Sequence, residues 1–279
     1  MKYSLCITTP EVNAVLPFAM LRGSFIEKTV KASNYGYDGV ELMTIEPLKV
    51  ETSNIMDSLL SRSLEVSAVS SGAVLSTTGL SLLAEDEKTR AAARKKLSEL
   101  IQFTGRTGAK IVTIGSFRGR ASSVGGSSNA WRILSEVLKE ASAEAESMNV
   151  NIALEPINRF DSDFLHTAEE TAGFIENIGC RNLGILLDTF HMITEEASFT
   201  GCIEKTIAQG LLRHIHISDS SRMPPGKGDI DFTAIIKTLR KYSYKGYLSA
   251  ELLAGDFPDG RAEETINFMR KLELLSENN

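Results

Sequence analysis

The stretch NIALEP, residues 151–156, is a short apolar run that ends in a carboxylate, Glu155. Three later stretches have the same form. LGILLDT at 183–189 carries Asp188, LRHIHIS at 212–218 carries His216, and YLSAELL at 247–253 carries Glu251. Successive polar residues of this set stand about 30 residues apart, the length of one strand, one helix and two loops. Four consecutive βα units therefore each present one oxygen or nitrogen donor at the same end of a parallel sheet. Two Glu, one Asp and one His around a point suit a divalent cation such as Mn²⁺, Mg²⁺ or Co²⁺.

Alternation along the runs supports this placement, because side chains two apart share a face. Asn151, Ala153 and Glu155 share one face, His214 and His216 another, and Ser249 and Glu251 a third. The intervening Ile152, Leu154, Ile215, Ile217 and Leu248 face the other way, under helices. The polar set is then interior. Three interior carboxylates are costly unless a cation compensates them.

Working outward, YSLCITT (3–9), GVELM (39–43), EVSAVSS (65–71) and KIVTIGS (110–116) read as four earlier strands. Helices are predicted near Phe25–Ser33, Asn54–Ser63, Glu85–Thr104, Trp131–Met148 and Glu263–Leu275, with Asp86 and Asp231 as caps. Eight strand–helix alternations without a linker predict an α/β fold, a (β/α)₈ TIM barrel, as one catalytic domain over residues 1–279. In such a barrel the site lies at the C-terminal ends of the strands, where the four donors fall.

Composition agrees. The 279 residues are 42% hydrophobic, enough for a large core. A net charge of −6 argues against a nucleic-acid partner. Cys6, Cys180 and Cys202 are scattered and odd in number, which reads as free thiols in a reducing compartment. The N-terminal MKYSLCITTPEVNAV lacks the unbroken apolar core of a signal peptide, and no run approaches the ~18 apolar residues of a membrane helix. The expectation is a cytoplasmic protein without a membrane partner.

The strings LEPINRF (154–160), LLDTFHM (186–192) and HIHISDSSRMPPGKG (214–228), in this order and spacing, resemble the xylose isomerase-like TIM barrels of the sugar phosphate isomerase/epimerase superfamily. Within it they look most like the D-tagatose/D-psicose 3-epimerase group, which includes keto-sugar-acid epimerases. The resemblance covers essentially the whole chain and is strongest from Asn151 to Leu253. It implies a divalent-metal-dependent epimerase of a keto sugar or keto sugar acid, with Glu155, Asp188, His216 and Glu251 holding Mn²⁺ or, in its place, Mg²⁺, Co²⁺ or Zn²⁺. Glu155 and Glu251 would also exchange protons on opposite faces of an enediolate whose charge the metal stabilises. His191 and Arg222 match substrate-oxygen contacts. Asp161, six residues after Glu155, stands where family members commonly have Glu, one methylene longer, and is a further expected substrate contact. A sugar or sugar-acid substrate and a homodimer or homotetramer complete what the resemblance implies.

Rival readings start from the same residues. An aldose–ketose isomerase or a keto-inositol dehydratase would also remove a proton next to a carbonyl. An abasic-site endonuclease needs several metals and a basic groove, and ranks below these in a chain with four His and this charge. A sugar-binding module without catalysis would not need two Glu among the donors. Locally, Glu155 could pair with Arg159, Glu251 with Arg213, and Asp188 could cap a helix. His214 reads as an interior structural residue and His166 as the start of a helix. The Gly226-Lys227-Gly228 loop suits either a phosphate site or a rigid wall, and the wall is the stronger reading because a single Gly-Lys-Gly is a weak phosphate signal. The Met20–Gly23 and Ala121–Asn129 segments could cover the site, with Phe190 and Met223 against an apolar side of the sugar.

Overall fold

A computed structural model describes residues 1–276, so the last three residues of the unit expected over 1–279 lie outside the described residues. Eight parallel strands close into a barrel in sequence order. They are β1 (Lys2–Thr8), β2 (Gly39–Met43), β3 (Glu65–Ser70), β4 (Ile111–Ile114), β5 (Asn151–Leu154), β6 (Leu183–Asp188), β7 (Leu212–Ile217) and β8 (Tyr247–Ala250). β8 pairs with β1 in the register Lys2↔Tyr247 through Leu5↔Ala250, which closes the sheet. Every one of the eight expected strands is present, within three residues of its expected ends.

The helices are α1 (Phe25–Tyr35), α2 (Thr52–Leu60), α3 (Val74–Thr78), α4 (Glu87–Arg106), α5 (Ser127–Ser147), α6 (Ala168–Ile178), α7 (Thr189–Glu195), α8 (Phe199–Ala208), α9 (Phe232–Lys241) and α10 (Pro258–Leu275). Their ends follow capping chemistry. Ser24 and Glu27 form a reciprocal capping box at the start of α1. Asp86 accepts the Thr89 amide at 2.8 Å and Asp231 the Ala234 amide at 3.0 Å, as their positions predict.

Three boundaries differ from the sequence reading. α2 starts earlier and stops at Leu60, with Ser63 in left-handed backbone at φ 55°. α5 begins at Ser127 rather than Trp131, because only the Gly125–Gly126 pair, at φ 81° and 112°, breaks the helix and the serines after it continue. α10 begins at Pro258, whose fixed φ and missing N–H suit a first helical turn.

The aliphatic faces of the strands, including Ile152, Leu154, Ile215 and Leu248, pack beneath the helices in one continuous core. The barrel interior is more polar. Ser4, Glu41, Ser249 and His214 are all fully buried there. Among the described residues no helix is long and apolar enough to cross a membrane.

Candidate metal centre

Glu155 follows β5 directly and its amide donates to Ile114 O at 3.0 Å, continuing the sheet by one residue. Asp188 ends β6 and also caps α7, accepting the Phe190 amide at 2.9 Å. His216 lies in β7, opposite Asp188 in register, and Glu251 follows β8. The structure thus brings all four residues to the C-terminal rim. One donor atom from each lies within 4.8 Å of the others, and all four residues are buried.

The donor set fits a divalent cation on its unsatisfied atoms. Glu155 Oε1 and His216 Nδ1 are buried and lack a hydrogen-bond partner, and Asp188 Oδ2 meets the Arg222 guanidinium without good hydrogen-bond geometry. Buried polar groups are rarely left so, and here they converge.

Second, Arg222 reaches the same place. Its Nη1 lies 2.8 Å from Asp188 Oδ2 and 2.7 Å from Glu251 Oε2. The guanidinium is stacked between Phe18 and Phe190, at 4.9 and 4.3 Å from the ring centroids. Its backbone is left-handed, at φ 57°, a strained conformation for a long side chain. The hydrogen bond from Arg222 N to Asp219 O and that from Leu253 N to Arg222 O hold it there.

His191, from α7, is held on both sides of its ring. Asn158 Oδ1 accepts the amides of Phe160 and Asp161, so Nδ2 is the end that faces Asp161 Oδ2 at 3.0 Å and His191 Nδ1 at 2.7 Å. His191 Nε2 lies 3.2 Å from Arg222 Nη2 and 3.7 Å from Glu155 Oε1. Burial, opposed by Asp188, lowers the His191 pKa and keeps the ring neutral.

The two Glu are perturbed in opposite directions. Burial, then the charges of Glu251 and Asp188, push Glu155 up to about 8. Burial also acts on Glu251, but His216 and Arg222 outweigh it and hold that carboxyl at about 2. A cavity of about 430 Å³ opens over the group, and Phe18, Thr113, Ser116, Asp161 and Leu253 line its wall.

Several local alternatives are overturned. Arg159 pairs with Glu195 at 2.7 Å, not with Glu155, because the turn after Pro156 carries it outward. Arg213 donates to the carbonyls of Gly210, Arg181 and Leu183, not to Glu251, because it lies at the opposite end of β7. His166 does stand just before α6, and its Nε2 contacts Ser162 O. In the Gly-Lys-Gly loop the Asp219 carboxylate accepts the amides of Gly226 and Ile230 at 2.8 and 3.2 Å, and Lys227 pairs with Glu264. The groups a phosphate would use already have an internal anion.

Four residues around the site escaped the sequence reading. Gly115 follows β4, where a Cβ would collide with Glu155 Oε2. Arg118 is fully buried and donates to the carbonyls of Glu155 at 2.6 Å and Phe164 at 2.8 Å, tying the end of β5 to the loop behind it. Asn158 sits inside LEPINRF and could have been flagged by that string. Glu41, in β2, accepts from both His214 and His216 across the barrel. Only its place in the apolar run GVELM hinted at an interior carboxylate.

Residues 30–272 match the family model described as xylose isomerase-like TIM barrel. Among curated proteins, the chain is 38% identical over 109 residues to D-psicose 3-epimerase of Enterocloster bolteae, covering 39% of this chain and 36% of that enzyme. It is 34% identical over 142 residues to L-ribulose 3-epimerase of Mesorhizobium japonicum, covering 51% and 47%. The matched stretch thus spans less than half the length of these relatives. Among solved structures, 3-keto-D-glucoside 4-epimerase from Escherichia coli superposes with a TM-score of 0.81 at 20% identity, over 97% of this chain and 100% of that one, which establishes the shared fold.

Proposed function

The chain belongs to the xylose isomerase-like TIM barrel family, and from that membership we propose that it is a divalent-metal-dependent epimerase of a keto sugar or keto sugar acid. The observation that carries this reading is the convergence of Glu155, Asp188, His216 and Glu251, two of them with a buried atom that lacks a hydrogen-bond partner, in a cavity of sugar-accommodating size. The four side chains would hold the ion, Mn²⁺ in the first instance. When bound, the ion supplies a Lewis acid that polarises the substrate carbonyl and makes the neighbouring C–H acidic.

Glu155 and Glu251 come from β5 and β8 and flank the space where the sugar carbon would lie. In the metal-free site they are perturbed in opposite directions; a bound ion would favour the ionised form of both, so the proton they exchange is the one taken from the substrate carbon. One Glu removes the proton next to the carbonyl from one face. The other returns a proton to the opposite face of the planar enediolate, and configuration inverts. The substrate's configuration decides which Glu acts first, and the pair titrates as a unit. His191 would contact a reacting oxygen, while Arg222 fixes the planes of Asp188 and Glu251. Asp161, on the cavity wall, accepts from a sugar hydroxyl.

The occupied amides of the 226–230 loop favour an unphosphorylated substrate. Free Cys6, Cys180 and Cys202 suit a reducing compartment, so we place the protein in the cytoplasm. A homo-oligomer follows from the family resemblance.

The test is carbon-bound proton exchange. Metal-stripped protein reloaded with Mn²⁺ is incubated in D₂O with ketoses, keto sugar acids and keto-glycosides, and deuterium next to the carbonyl is read by NMR. Exchange with inversion is expected for at least one class. Isomerisation to an aldose, or loss of water from a keto-inositol, would move the assignment to those reactions. Absence of exchange across the panel, with thermal stability indifferent to Mn²⁺, would overturn it.

A further inference from the structure

Glu41 is a fully buried carboxylate that the reaction above leaves without a task. It projects from β2 across the barrel to β7, two strands that are not neighbours in the sheet. Its Oε2 lies 2.9 Å from His214 Nε2, and both of its oxygens lie 3.1 Å from His216 Nε2. The interior layers of such barrels are ordinarily filled by branched apolar side chains. A carboxylate and two imidazoles in that place are expensive to bury, and are retained only where they are paired or do something for a neighbouring site.

Which nitrogen of His216 points where decides the matter. A carboxylate only accepts, so the ring nitrogen facing Glu41, Nε2, carries the hydrogen. In the neutral ring the lone pair is then on Nδ1. That atom is buried, lacks a hydrogen-bond partner, and lies 3.5 Å from Glu251 Oε2, inside the converging donor set. His214 is perpendicular to His216, with centroids 5.3 Å apart, and anchors the same carboxylate from the side away from the rim.

We propose that Glu41 is a positioning residue for the metal centre: it holds His216 as the Nε2–H tautomer, with the ring plane fixed, so that Nδ1 faces the ion. The proposal rests on the metal-centre reading given above. Carboxylate–histidine–metal relays of this form orient the ligand and raise its basicity, and their loss typically weakens metal binding about 10–100-fold. Glu41 does not line the cavity, so its removal reaches the ion through His216, directly and by freeing the neighbouring His214.

The experiment measures Mn²⁺ binding to the full-length, metal-stripped protein by calorimetry, in wild type and in Glu41→Ala, Glu41→Gln and Glu41→Asp. Folding of each is checked by circular dichroism and melting temperature. A folded Glu41→Ala should bind Mn²⁺ about 10–100-fold more weakly. Glu41→Gln, whose amide oxygen can still accept from one imidazole, should recover part of the loss. Glu41→Ala that binds within threefold of wild type overturns the proposal. If Glu41→Ala does not fold, wild type decides. With diamagnetic Mg²⁺ bound, histidine ¹⁵N spectra should show His216 as Nε2–H, and an Nδ1–H signal overturns the proposal. Failure of wild type itself to bind Mn²⁺ would instead sink the metal-centre reading, so the two failures are separable.

Discussion

Glu155 Oε2 occupies the place that a side chain at position 115 would need, so Gly115 is the space in which the Glu155 carboxylate sits. The relationship runs between adjacent strands, since β4 pairs with β5 in the register Ile114↔Leu154 just before both residues. Gly115→Ala should force that carboxylate out of the donor set. Overpacking of a filled interior costs about 1–3 kcal/mol, a fall in melting temperature of roughly 2–10 °C. Mn²⁺ affinity should drop by about tenfold or more, equivalent to ~1.4 kcal/mol. An alanine variant that binds Mn²⁺ like wild type would show that Glu155 is not held by this contact.

Glu155→Gln and Glu251→Gln each keep the shape of the site and remove one proton carrier. Each should lower epimerisation by about 10²–10⁴-fold, the usual contribution of a positioned acid or base. Their exchange behaviour should differ. The variant lacking the Glu that returns the proton still abstracts, and washes deuterium into substrate without inversion. Full epimerase activity in either variant would remove that residue from the mechanism.

The elevated pKa of Glu155 sets a pH dependence. A carboxyl ordinarily titrates near 4.3, and here burial and its acidic neighbours push it up to about 8. The folded form thus holds a proton that the unfolded chain has released. Stability from this group is complete below the ordinary value and is lost as pH rises toward 8. His216, whose pKa is raised by Glu41 and Glu251 against the effect of burial, adds a loss in the same direction above its ordinary value near 6.5. Glu251, held at about 2, contributes stability that is complete above the ordinary carboxyl range and lost only as pH falls toward 2, so it adds no slope between pH 5 and pH 8. Metal-stripped protein should therefore melt lower at pH 8 than at pH 5, and the decline should be shallower in Glu155→Gln. Because the ion binds the deprotonated donors, the gain in melting temperature on adding Mn²⁺ should widen from pH 5 to pH 8. At a hundredfold excess over Kd the stabilisation reaches about 2.7 kcal/mol. Parallel pH profiles for wild type and Glu155→Gln would contradict the argument.

Arg118 is a buried cation whose hydrogen bonds go mainly to main-chain carbonyls at the end of β5 and in the loop that follows. Arg118→Met removes the donors and leaves those carbonyls buried without partners. A loss on the order of 3–5 kcal/mol is expected, since each unsatisfied buried group costs about 1–3 kcal/mol. Thermal melting reads it directly. A variant that melts within 2 °C of wild type, about the shift that ~1 kcal/mol produces, would mean that water or another side chain replaces the guanidinium.

The eight strands were legible because parallel barrel strands are short apolar runs, and their period of two survives in NIAL, RHIHI and YLSA. The four donors were legible for the same reason, since a polar residue at the end of such a run has one place to go. Helix ends were less so where polar residues of weak helical character open the helix, as Ser127, Ser128 and Asn129 do after the Gly125–Gly126 break. The partners of the charged residues were not legible. Arg159 and Arg213 are close in sequence to Glu155 and Glu251 respectively or in the neighbouring unit, yet they bond elsewhere.

By itself the sequence determined the barrel and the rim on which Glu155, Asp188, His216 and Glu251 meet, because strand periodicity and unit length are local properties. Only the tertiary structure decided that Gly115 makes room for one carboxylate, that Arg222 is stacked between Phe18 and Phe190, and that Glu41 from β2 grips two histidines of β7. Those contacts join neighbouring strands, distant loops or opposite walls of the barrel. Their physical cause is closure of the sheet, which brings together side chains from about thirty to more than a hundred and seventy residues apart in a chain whose periodicity records only which face each one takes.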